Sequence, residues 1–317
     1  MLPRQELLGA LAASATCNSH GPVAGHPALR AAAAGYWQRR GLATGPGSVI
    51  CGPGSKAVLF ALMLAIGGDV AIPRPSWVSY AAHARLLGIR AHPVAVPAGE
   101  GGICDPTALS AAMGAAAAVG RPISSTIVTL PDNPTSRVPA PDTIRALCEV
   151  AEARGLIIIC DEIYRDLIHD PTTPVLSPAE VAPQRTVITT GLSKSLALGG
   201  WRIGVAPMPD GPLGARLRTA LLGAASEIWS APAAPIQHAA ALASSEPAEI
   251  RERISRSRTL HATVARAIAD ACTNAGLLVP PPQAAFYLYP DFDPWRDYLR
   301  SRYGVSQIKE ILANLTT

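Results

Sequence analysis

The chain has 317 residues, of which 49% are hydrophobic and 16% charged, with a net charge of +4 and a mean hydropathy of +0.22. These values exclude a disordered tail, a coiled coil and a collagen-like chain, and they leave room for one large or two ordinary domains around a substantial core. Only three of the 27 basic residues are lysines (Lys56, Lys194 and Lys309), and the arginines are scattered among 5% aromatics. A nucleic-acid partner, which needs clustered charge and interleaved rings, is not expected. The six cysteines show no CxxC or Cys/His spacing, and the seven histidines form no metal pair. Reduced core thiols, a cytoplasmic location and no metal site follow as expectations. The longest apolar run, residues 57–66, is too short to cross a membrane, and residues 1–17 read as an amphipathic arm or helix because Glu6 interrupts any leader-like core.

From about residue 26, helical and strand-like segments alternate. Pro27 suits the first turn of a helix through Arg40. A short buried strand at 49–51 leads through Gly52-Pro53-Gly54-Ser55 into a helix ending at Ile66, and strand-like 69–72 precedes a helix to Leu87 with Ser76 as its expected cap. Further strands are expected at 91–96, 124–130, 156–160, 186–190 and 203–206, with helices over 105–118 and 141–154 between them. Short, doubly buried strands separated by helices predict an α/β, doubly wound and mostly parallel sheet. After Pro209 the pattern changes: a helix over 213–229, breaks at Pro232 and Pro235, a long arginine-rich helix from about Pro247 to Cys272, a bend at Pro280-Pro281-Pro282 and a strand over 285–289. This region reads as a second, smaller α+β unit. The expected division is an arm over 1–20, a large domain over 21–243 and a small, truncated domain over 244–317.

Two local patterns are incomplete. Gly52-Pro53-Gly54-Ser55-Lys56-Ala57 satisfies a loose dinucleotide fingerprint, but Asp69 stands at the wrong end of the next strand to bind a ribose. What remains is a glycine loop at a helix start, which suits a phosphate. Gly191-Leu192-Ser193-Lys194-Ser195 lacks the last glycine of a nucleophile elbow. A stronger signal is the fixed order of four fragments: Asp132-Asn133-Pro134-Thr135, Asp161-Glu162-Ile163-Tyr164, Ser193-Lys194 and Gly200-Trp201-Arg202. All fall at or just beyond strand ends, where open α/β sheets place ligands.

On these fragments the sequence resembles the class I/II aminotransferases, the fold-type I enzymes that use pyridoxal 5′-phosphate (PLP), over roughly residues 21–303. The resemblance implies an aminotransferase that moves the amino group of an L-amino acid to a 2-oxo acid, working as a homodimer on small-molecule substrates, with no membrane partner. It implies that Lys194 is the Schiff-base lysine and general base, that Asp161 keeps the pyridine nitrogen protonated, and that Asn133 and Tyr164 donate to the phenolic oxygen. Arg202 is expected to clamp the phosphate with help from Gly54 and Ser55, with Lys56 and Ser193 close by, and Trp77 to stack on the ring. The family's arginine for the substrate α-carboxylate has no counterpart, since Lys309 is the only basic residue after Arg302. The family's glycine-containing gate loop near the N-terminus is likewise unmatched, and His20 stands before Gly21-Pro22 where relatives carry a tyrosine that reaches the neighbouring subunit's phosphate. The chain therefore reads as shortened at both ends. Two alternatives stay open at this point: a PLP-dependent lyase on the same fold, and a non-catalytic relative that binds PLP or only dimerises.

Overall fold

The computed structural model describes residues 5–304. In chain order, α1 (Gln5–Ala13) and α2 (Pro27–Gln38) precede β1 (Val49–Pro53), α3 (Ser55–Ile66), β2 (Asp69–Arg74), α4 (Val78–Leu86), β3 (Ala91–Ala95), α5 (Pro106–Ala118), β4 (Ile123–Thr129), α6 (Pro141–Arg154) and β5 (Ile157–Asp161). Then come the short α7 (Pro178–Val181), β6 (Thr186–Gly191), β7 (Ile203–Pro207), α8 (Gly211–Ile228), α9 (Ala234–Ser244), α10 (Ala248–Asn274) and α11 (Arg296–Tyr303). The strands form one seven-stranded sheet in the order β1-β7-β6-β5-β4-β2-β3. The ladders are parallel except where β7 pairs with β1 and β6, so the sheet is mixed and mostly parallel, as expected.

The central strands are buried along nearly their whole length because helices cover both faces of the sheet. Along β4 and β5, Val128, Ile158 and Cys160 pack with Leu109 of α5 and Leu147 of α6 on one face. Ile127 and Ile159 point the other way, against Leu59 and Leu62 of α3 and Leu217 of α8. A third cluster joins Ile188 and Val205 to Leu7 of α1, Leu29 and Trp37 of α2, and Ala240 of α9. Local signals fix the helix ends. Asp105 Oδ1 accepts from the Ala108 N–H at 2.8 Å to cap α5. Gly155, with φ of 70°, closes α6 in the left-handed region.

Three expectations differ from the structure. Ser76 does not cap α4; Trp77 takes the cap position without a side-chain bond. Pro235 does not break a helix but occupies the first turn of α9, where its missing N–H is harmless. The segment 285–289 is not a strand. Ala285 has a φ of 55°, which no ladder accepts, and its N–H is taken by the Leu167 carbonyl at 2.9 Å. An isolated bridge between Ile168 and Ala284 is all the pairing this stretch makes, so the described part of the second unit is helical and irregular. Lys309 and its expected terminal helix lie outside the described residues. Among the described residues, no helix is long and apolar enough to cross a membrane.

Candidate active site

One edge of the sheet collects all four motif fragments, and the topology explains why. Strands β4, β5 and β6 are parallel and end together at Thr129, Asp161 and Gly191. Beyond them lie Asp132–Thr135, Ile163–Tyr164 and Ser193–Lys194. Strand β7 runs the opposite way and starts at Ile203, which brings Arg202 to the same edge. The glycine loop arrives from β1 and opens α3 at Ser55. Close approach here demands glycine: a Cβ on Gly204 would lie 2.2 Å from the Ser55 nitrogen, and one on Gly54, whose φ is +90°, would lie 2.3 Å from Arg202 Nη2.

A cavity of about 420 Å³ opens at this edge, lined by Ser55, Lys56, Trp77, Asn133, Asp161, Tyr164, Ser193, Lys194 and Arg202. These are all the expected site residues except Gly54, which instead backs the Arg202 guanidinium. The same cavity contains Tyr80, Thr129, Ile163, Gly199 and Tyr287, which sequence reasoning did not assign. Tyr80 lies one turn along from Trp77 and meets it edge-on, ring centroids 5.3 Å apart. Tyr287 belongs to the aromatic segment after the proline bend. Both were visible as aromatics near a motif; nothing local shows that their hydroxyls face the cavity. His20 is exposed and does not line it.

Asp161 is 3% exposed and sits at the end of a central strand. Its Oδ2 accepts from Tyr80 Oη at 3.1 Å, and its Oδ1 accepts from the Ile163 N–H and Thr189 Oγ1, each at 3.3 Å. Burial pushes its pKa up from an ordinary 3.8 to about 6, against the downward pull of these donors. No lysine or arginine pairs with it among the described residues. Asp132, fully buried, is also pushed up to about 6 by burial, but its Oδ2 takes the Thr135 N–H at 3.1 Å and Oγ1 at 2.5 Å, so it shapes the loop. Lys194 Nζ stands 5.8 Å from the Tyr164 ring centroid and 5.7 Å from that of Phe286. Tyr164 Oη lies 2.6 Å from Tyr287 Oη, and Asn133 Nδ2 donates to both, at 3.4 and 3.2 Å. Arg202 donates through Nη1 to the Gly199 carbonyl at 2.8 Å, which anchors the guanidinium beside the glycine loop.

This donor set fits PLP. A buried carboxylate without a cation matches a protonated pyridine nitrogen, and an amine, two hydroxyls, an amide and an arginine beside a helix start surround the same space. A larger cleft of about 750 Å³ near the ends of α2 and α10 holds Arg39, Arg40, Arg165, Arg251 and Arg258 but no motif residue. Arg40 there is already bound to Asp166 at 2.6 Å and to Glu246 at 2.7 Å, an arrangement that ties α2 to the start of α10.

Comparison with known proteins agrees with the geometry. The family profile for aminotransferase class I and II matches residues 3–310. A probable aspartate/prephenate aminotransferase of Thermus aquaticus is 31% identical over 282 residues, covering 87% of this chain and 70% of that protein. The aspartate aminotransferase of Geobacillus stearothermophilus is 32% identical over 278 residues, 85% of this chain and 67% of the relative. The solved aspartate aminotransferase of Thermus thermophilus with maleate superposes with a TM-score of 0.81 at 28% identity, over 92% of this chain and 74% of that one. A matching profile over nearly the whole chain, on a sheet whose edge gathers a donor set that fits PLP, places this protein in the class I and II aminotransferase family, whose enzymes depend on PLP.

Proposed function

We propose that the cavity at the sheet edge is the transamination site, with Lys194 as the base and Asp161 as its electrostatic anchor. The observation that carries this reading is their shared placement: the central buried carboxylate and the half-buried amine line one cavity that Arg202 and the glycine loop close at one end. PLP, when bound, supplies an electron sink for the pair left behind as a bond at the substrate α-carbon breaks. The protein's own tasks are then definite. Asp161 holds a proton on the pyridine nitrogen, and Tyr80 and Thr189 hold Asp161. Asn133 and Tyr164 donate to the phenolic oxygen. Arg202 and Ser55 bind the phosphate, and Trp77 covers the ring. Lys194 Nζ, 5.8 Å from the Tyr164 ring centroid and 5.7 Å from that of Phe286, takes the proton from the substrate α-carbon.

The amino donor in this reading is an acidic L-amino acid, passed to a 2-oxo acid. Several relatives are named for aspartate, and one solved relative holds maleate, a dicarboxylate. Lys56, whose Nζ lies 5.0 Å from the Trp77 ring, is the cavity cation left over once Arg202 serves the phosphate. The cofactor-binding unit covers residues 21–243, and the working form is a homodimer. Support for the dimer comes from the family resemblance.

The test is the visible absorption spectrum of protein purified with PLP, before and after a panel of amino acids. A lysine-linked cofactor band that Lys194→Ala abolishes and aspartate bleaches is expected. A band that no amino acid moves would refute the transaminase reading, and the absence of any band would refute the site. Lys56→Ala should raise KM for aspartate about tenfold and leave alanine unaffected. Pyruvate and ammonia from a β-substituted donor would favour a lyase instead.

A further inference from the structure

Tyr287 reaches the cavity from the far side of the chain, 123 residues beyond Tyr164, and its hydroxyl closes a three-membered group. Asn133 Nδ2 donates to Tyr287 Oη at 3.2 Å, and Tyr287 Oη meets Tyr164 Oη at 2.6 Å, the shortest bond of the three. With the amide donating to Tyr287, the Tyr287 proton is free to point at Tyr164, and the Tyr164 proton is free to point into the cavity. The polarity is consistent at every link, so each bond strengthens the next donor.

The backbone of Tyr287 is held with equal definition. Ser136 Oγ donates to the Tyr287 carbonyl at 2.6 Å and accepts from the Tyr287 N–H at 3.2 Å. Ser136 is fully buried and has a φ of 59°, a conformation that glycine would adopt with less strain. The Ser136 hydroxyl makes both bonds to the Tyr287 backbone, and glycine there would make neither. The loop carrying Asn133 and the segment carrying Tyr287 are thus clamped twice, once through main chain at Ser136 and once through side chains at the cavity.

We infer that Tyr287 is a positioning residue of the active site: through its hydrogen bond to Tyr164 it sets the donor strength of that hydroxyl toward the phenolic oxygen of PLP, with Ser136 fixing its place. The inference rests on the site reading above, because it requires that oxygen to lie against Tyr164 and Asn133. Its consequence is spectroscopic. A donor to the phenolic oxygen draws off charge that would otherwise hold a proton on the neighbouring lysine-linked nitrogen. Weakening the donor tightens that proton and raises the pH at which the visible band changes form.

The test is a pH titration of the visible band in PLP-loaded wild type, Tyr164→Phe, Tyr287→Phe and the double variant, with thermal melts as fold controls. Tyr287→Phe keeps the ring packed against Phe286 and Tyr164 and removes only the hydroxyl. Its midpoint should rise by about half a pH unit, less than in Tyr164→Phe, and the double variant should match Tyr164→Phe alone, since Tyr287 acts through it. Ser136→Gly should move the midpoint the same way although it relaxes the backbone; a purely conformational role for Ser136 would leave the midpoint in place. An unmoved midpoint in Tyr287→Phe, with a shifted one in Tyr164→Phe, would overturn the inference and leave the site standing. A midpoint that Tyr164→Phe also fails to move would overturn both.

Discussion

Asp161→Asn should stabilise the cofactor-free protein and inactivate the enzyme. The carboxyl is 3% exposed, and burial moves its pKa from 3.8 to about 6. A folded-state value above the unfolded one means that stability is fully present below about pH 4 and is lost as pH rises through 6. At pH 7.5 the charged carboxylate costs up to about 3 kcal/mol, which the amide does not. Asparagine fits the same partners: its oxygen keeps the Ile163 N–H and Thr189, and its NH₂ faces Tyr80 Oη, which can turn its own proton to Thr129 Oγ1 at 3.0 Å. Melting of the cofactor-free proteins by scanning fluorimetry should show the variant about 5 °C higher at pH 7.5, with the gap closing toward pH 4. Asp132 titrates in the same window but is present in both proteins and cancels. Adding PLP should reverse the order, because the wild-type carboxylate gains its pyridinium partner, and transamination by the variant should fall at least about 1,000-fold. A variant that melts no higher than wild type at pH 7.5, or a gap independent of pH, would refute the desolvation argument. Retention of a tenth of the activity would refute the role.

Arg202→Lys should weaken PLP binding about 10- to 100-fold by fluorescence titration, because an ammonium cannot reproduce the guanidinium's two-point grip; equal affinity would place the phosphate elsewhere. Gly54→Ala puts a Cβ 2.3 Å from Arg202 Nη2 at a φ of +90°, so it should cost about 2 kcal/mol by urea unfolding and lower PLP affinity together with it. Glu246→Gln breaks the charge balance of Arg39 and Arg40, which it holds at 2.8 and 2.7 Å, and should destabilise the fold by about 3 kcal/mol while the KM of the remaining folded enzyme stays unchanged.

The central strands were readable because they are buried on both faces, and the segments expected at 124–130 and 156–160 fall within a residue of β4 and β5. The motif fragments were readable because each supplies an unusual chemical group at a strand end. What failed were places where the backbone answers to distant partners. Pro235 reads as a breaker until its position in the first turn of α9 is known. The segment after Pro282 is rich in aromatic residues like a strand, yet Gln283 donates to the Ser136 carbonyl at 3.1 Å and Ala285 to that of Leu167, so its hydrogen bonds go to loops. The contacts of Tyr80 and Tyr287 were hidden for the same reason: each depends on which carboxylate or hydroxyl the fold brings within 3.1 Å or 2.6 Å of the ring's oxygen.

Two of the buried carboxylates, Asp132 and Asp161, show why geometry must precede electrostatics in locating such a site. Both are pushed up to about 6, and they stand just beyond the end of β4 and at the end of β5, which pair in parallel. Perturbation alone ranks them equally. Their surroundings separate them. Asp132 spends one oxygen on the N–H and hydroxyl of Thr135 three residues away, leaves Oδ1 without a partner, and lies outside the cavity. Asp161 is held by donors from other parts of the chain, Tyr80 of α4 and Thr189 of β6, in a cavity that also contains Lys194. A loop carboxylate needs only its own turn to be stable where it is. A carboxylate held from two distant elements with no cation paired to it is available to a cationic group, and in the function proposed above that group is the protonated pyridine nitrogen of PLP.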